Sequence, residues 1–117
     1  MIAIFVALGL ACSAPTATVQ DSLPIIEHLA PKRDSTGGVP PKFAWTAVKD
    51  ADVYVLSMWN DIDLLIFKQH VAGRTSAEWP KGLTVEQGTY FWEVLALRGE
   101  QPVGHSGRAA FVILDKR

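Results

Sequence analysis

Gly88-Thr89-Tyr90-Phe91-Trp92-Glu93-Val94-Leu95-Ala96-Leu97 is the stretch on which the fold turns. Successive side chains of a strand point to opposite faces, so Tyr90, Trp92, Val94 and Ala96 share one face and Phe91, Glu93, Leu95 and Leu97 the other. The same alternation runs through Val53 to Trp59, where Tyr54, Leu56 and Met58 oppose Val53, Val55, Ser57 and Trp59. Outward from these two runs, Ile25 to Leu29, Phe43 to Trp45, Leu64 to Lys68, Thr75 to Trp79 and Ala109 to Leu114 read as further strands separated by turn residues. Residues 31–41 hold so much Pro and Gly that a loop is expected there. The spacing predicts an all-β protein, a sandwich of about seven antiparallel strands. Phe43, Trp45, Phe111 and Ile113 join the inward sets of the two long strands to fill a core about 10 Å thick between the sheets.

Trp45, Tyr54, Leu83 and Tyr90 follow one another in the order of the strand B Trp, strand C Tyr, pre-corner Leu and strand F Tyr of fibronectin type III domains. The run from Gly88 to Ala96 resembles the strand F signature of bacterial members, and Ser106 and Phe111 stand where that pattern enters strand G. Residues 23–115 thus resemble an immunoglobulin/fibronectin type III-like β-sandwich. Leu83 lies one residue further from Tyr90 than in the family pattern, and the proline often found between them is missing.

The 117 residues carry 11 Lys and Arg against 12 Asp and Glu, a formal net charge of -1, with 49% hydrophobic side chains. This length allows one domain and excludes an enzyme built from two lobes around a cleft. Near-neutral charge gives none of the basic excess that nucleic acid requires, so no nucleic-acid partner is expected.

The first charge in the chain is Asp21, and residues 2–12 are unbroken apolar sequence. Such a run is too short to span a bilayer as a helix but matches the apolar region of a signal peptide. Leu8-Gly9-Leu10-Ala11-Cys12 resembles the lipobox of bacterial lipoproteins, with Gly9 where leucine is usual. The resemblance implies a signal peptide over 1–11 and lipidation of Cys12. Residues 12–22, small, polar and proline-containing, would then be a tether. Location follows as the bacterial cell envelope, lipid-anchored at the periplasmic face or cell surface, and secreted if Cys12 is not lipidated. Ser13 after the cysteine implies outer-membrane sorting in a Gram-negative host. The same run also suits a first strand or buried helix with an incidental cysteine.

Candidate chemistry is sparse. His28, His70 and His105 are scattered without ligand spacing, and read as loop or surface histidines rather than a zinc site. Gly104-His105-Ser106-Gly107-Arg108 puts Arg108 where a nucleophile elbow needs its second glycine. Asn60, Asp61 and Asp63 form an incomplete calcium series without the distal Glu. Arg98-Gly99-Glu100 reads as a polar turn. No enzyme activity, cofactor or metal is expected.

The unusual feature is the outward face. Antiparallel sandwiches normally put polar residues there, yet Val53, Val55, Trp59, Phe91, Leu95, Leu97, Val112 and Leu114 are apolar. Trp59, Phe91, Glu93, Leu95 and Val112 are the expected partner-binding face, for another envelope protein. The alternative is a polysaccharide-binding module stacking sugar on Trp59, Trp79 or Phe91, and a third outcome is that the N-terminal segment, or a loop, covers the face and makes it core.

Overall fold

A computed structural model describes residues 23–115. Nine strands follow in order: β1 (His28–Ala30), β2 (Ser35–Gly38), β3 (Lys42–Trp45), β4 (Val53–Asn60), β5 (Leu65–Ala72), β6 (Ser76–Glu78), β7 (Gly88–Arg98), β8 (Gln101–His105) and β9 (Ala109–Asp115). They form two sheets, a small one in the order β1-β3-β6 and a large one in the order β2-β9-β7-β4-β5, with β8 also on β7. The all-β, two-sheet sandwich is therefore as expected, but with nine strands instead of seven.

Both extra strands have a physical origin. The Pro- and Gly-rich segment expected to be loop contains β2, which pairs parallel with β9, Ser35 beside Phe111 and Gly37 beside Ile113. An edge position needs hydrogen bonds on one side only, and prolines at 31, 40 and 41 lie outside the four paired residues. The sandwich is thus not purely antiparallel. The second extra strand comes from an interruption opposite β7. β8 pairs with Leu95 to Arg98 and β9 with Gly88 to Trp92. Ser106 bridges the gap: its N–H donates to the Val94 carbonyl at 2.9 Å and its Oγ accepts from the Val94 N–H at 2.8 Å. Gly107 then turns the chain at φ +69°, a conformation side-chain-bearing residues rarely adopt. Ser106 is buried, with its backbone N–H and its hydroxyl both engaged by Val94.

The inward set is buried as the alternation predicts. Phe43, Trp45, Tyr54, Leu56, Met58, Tyr90, Trp92, Val94, Ala96, Phe111 and Ile113 all belong to one core. Trp92 lies at its centre, with Phe43 at 5.1 Å and Trp45 at 6.4 Å between ring centroids. The Tyr90 hydroxyl donates to the Glu86 carbonyl at 2.7 Å, tying the entry of β7 to the preceding corner. The first strand is shorter than Ile25 to Leu29: Ile25 makes an isolated parallel bridge to His105, and regular pairing starts at His28.

His28 corrects the reading of the histidines as loop or surface residues. It is half-buried in β1, edge-on to Trp92 at 4.6 Å, with Nε2 3.2 Å from the Trp92 carbonyl. Burial first, and Arg33 after it, pushes its pKa below the ordinary 6.5. Its position between the sheets follows from the pairing of His28 with Trp45 across β1 and β3.

Candidate functional site: the outer face of the large sheet

The register of the central strands assembles the site. β4 pairs with β7 so that Trp59 lies beside Phe91, Ser57 beside Glu93, Val55 beside Leu95 and Val53 beside Leu97. On the other flank of β7, Phe91 meets Ala110 and Thr89 meets Val112. Opposed residues of an antiparallel pair share a face, so Trp59, Phe91, Glu93, Leu95 and Val112 all lie on the side away from the core. Each is half-buried.

The centre of the face is drier than expected. Val55 is 9% exposed and Ser57 3%, although both point away from the core. β4 lies between β5 and β7, so Val55 is flanked by His70 and Leu95, and Ser57 by Lys68 and Glu93, on the adjoining strands. The exposed apolar side chains on this side are instead at its periphery: Ile62 is 76% exposed, Leu64 58%, Leu65 45% and Leu114 57%.

A polar clasp shapes one end. Asn60 Oδ1 accepts from the N–H groups of Ile62 and Leu64, at 3.0 and 2.9 Å, closing the turn between β4 and β5. Asp63 sits there at φ +67° and forms an ion pair with Arg108. The Arg108 guanidinium lies 3.8 Å from the Trp59 ring centroid, a cation–π stack. Arg33 Nη1 donates to the Arg108 carbonyl at 3.3 Å. Beside this clasp is an open hollow of about 440 Å³ between Arg33, Asp34, Asp61, Phe91 and Arg108. The Asn60, Asp61 and Asp63 turn therefore serves the clasp, and among the described residues no group of His, Cys, Asp and Glu is arranged to hold a metal ion.

The aromatic platforms are not equivalent. Trp79 stacks on Phe43 at 5.7 Å and 14°, and its indole N–H donates to the Leu83 carbonyl at 3.0 Å. Trp59 is overlaid by Arg108, and Phe91 is half-buried between Trp59 and Ala110. Arg108, Asp63, Ile62 and Leu64 were not legible as site residues. Arg108 reaches Trp59 through the Gly107 kink, which the sequence marks only as a glycine in a loop. Cys12, the tether and the N-terminal segment lie outside the described residues. Among the described residues no helix is long and apolar enough to cross a membrane. No known family, curated protein or solved structure matches the chain.

Proposed function

We propose that the chain is a non-catalytic, lipid-anchored envelope module, fibronectin type III-like, that binds another protein through the outer face of its large sheet. The observation that carries this reading is the single face shared by Trp59, Phe91, Leu95 and Val112, with Glu93 its charge on β7, running on into exposed Ile62, Leu64 and Leu65. Aromatic and aliphatic side chains with a charged rim are the composition of protein-binding patches, and an Arg stacked on a Trp at the rim fits the residues that dominate binding energy.

The family reading draws support from two features. The β1-β3-β6 sheet faces a sheet in which β4, β5, β7 and β8/β9 adjoin in the order of such domains. The Tyr90 hydroxyl bond to the Glu86 carbonyl four residues upstream resembles a tyrosine corner, in spite of the altered Leu83 spacing. Anchoring also suits the geometry. Ile25 runs parallel to β8 beside His105, so the described chain begins, at Leu23 and Pro24, on the Gly99 side of that bridge. The turn carrying Ile62 and Leu64 is at the opposite end and would be presented away from the membrane. A sugar platform has less support, because Arg108 covers the Trp59 ring and Phe91 is half-buried between Trp59 and Ala110.

Photo-crosslinking tests the reading. A photoreactive residue in place of Val112 should give a discrete adduct with one envelope protein, whereas one in place of Leu29, exposed on the small sheet, should not. Adducts of equal yield from both positions would contradict a binding face on the large sheet.

A further inference from the structure

The large sheet ends in β5, which is bonded to β4 alone. The unpaired N–H and C=O groups of such a strand are a template for another chain, and folds usually guard them with shortness, proline or inward charge. β1 and β6 have three residues each and β2 four, whereas β5 has eight, none of them proline. Its one formal charge, Lys68, is on the outer side, paired in register with Ser57. On the inner side the sandwich is open: a groove of about 370 Å³ runs between Gln69 of β5 and Glu78 of β6, with Arg74, Trp79 and Lys81 along it. Side chains directed inward from an added strand would enter that groove.

We propose that β5 accepts an acidic, extended segment of another protein as an additional strand. Lys68, Arg74 and Lys81 are exposed on the two sides of this edge, and none of them forms an ion pair with a carboxylate among the described residues. The groove's acid, Glu78, lies opposite Lys42 in the β3–β6 register. A second copy laid antiparallel on β5 in the register centred on Lys68 would set the two Lys68 side chains against each other, and like charges across strands repel. An incoming strand with carboxylates on both faces meets a cation on either side instead. Main-chain bonding supplies the affinity in this mode of recognition, and the alternate side chains supply selectivity. Lys68 shares the outer side with Leu95, but the unpaired main-chain edge of β5 does not include Leu95, so Leu95→Lys leaves that edge available.

The test is amide exchange followed by NMR on the full chain. The probe is an end-blocked peptide of repeating Glu-Glu-Val-Val, matched to β5 in length so that each face of the strand carries carboxylates, against its counterpart with Lys in place of Glu. The Glu peptide should slow exchange at the alternate β5 amides that β4 leaves unpaired and shift the signals of Gln69 and Arg74. The Lys peptide should do neither. Lys68→Glu should weaken the Glu peptide by about fivefold, the reversal of one exposed charge contact, and more at low salt than at high. Arg74→Glu, outside the strand, should act in the same direction and serves if Lys68→Glu lowers the melting temperature. The proposal is overturned by absent β5 protection, by equal protection from both peptides, by shifts confined to the Phe91 and Leu95 face, or by concentration-dependent self-association that protects the same amides.

Discussion

Trp45 and Trp92 are buried to the same degree, at 1% and 0% exposure, but their indole N–H groups differ. Trp92 Nε1 donates to the Pro31 carbonyl at 3.2 Å, whereas Trp45 Nε1 finds no acceptor among the described residues. Truncation to alanine should cost about 3–5 kcal/mol at either position, the usual loss for a buried indole. Replacement by Phe separates them. At Trp92 the change removes one hydrogen bond, about 1 kcal/mol, in addition to ring volume. At Trp45 it removes volume but also relieves a buried unpaired donor, whose burial costs about 1–3 kcal/mol. Trp92→Phe should therefore be the more destabilising by about 2–4 kcal/mol, a large share of a stability of about 5–15 kcal/mol. Urea unfolding measures this directly, provided the slope against denaturant stays constant between variants. Equal losses, or a greater loss at Trp45, would show that the Trp45 N–H is satisfied and that the packing account of the two rings is wrong.

Tyr90→Phe should destabilise by about 1 kcal/mol through loss of the bond to the Glu86 carbonyl, readable as a lower urea midpoint. Burial, then the nearby acids Glu86 and Asp61, holds that phenol above its ordinary 10, so it remains a donor throughout the neutral range and the loss should not vary with pH there. His28 has a folded pKa below 6.5, so the unfolded chain binds its proton first and stability should fall as pH drops through 6.5, levelling off below the folded value. His28→Gln should flatten that segment of the stability curve, and an unchanged slope would remove His28 as its source. Cys12→Ala should move the protein from the membrane fraction to the soluble one if lipidation holds it there, since each buried methylene contributes about 0.8 kcal/mol; unchanged membrane association would count against the anchor.

Alternation carried most of the architecture. The period of two over Tyr90 to Ala96 and over Tyr54 to Met58 gave the buried side of both central strands, because a one-residue slip would have exposed every ring. What pattern could not show depends on residues far apart in sequence. β2 has no apolar alternation in Ser-Thr-Gly-Gly and exists because β9 offers a free edge. His28 is drawn inward by the Trp92 carbonyl, 64 residues away in sequence. The outward residues were placed correctly, but their exposure was not legible: Val55 and Ser57 are shielded by neighbouring strands, and Arg108 folds over Trp59 only because Gly107 redirects the chain.

Leu95→Lys, measured for both melting and partner capture from envelope extract, tests the binding face most directly. Leu95 lies beside Val55 on the side away from the core, half-buried, so a lysine there can extend its charge to water along the sheet surface. The account predicts a melting temperature close to that of the parent protein and loss of the captured partner. A variant that unfolds would make this face part of a larger core, and one that melts normally and still captures the partner would contradict the binding face outright.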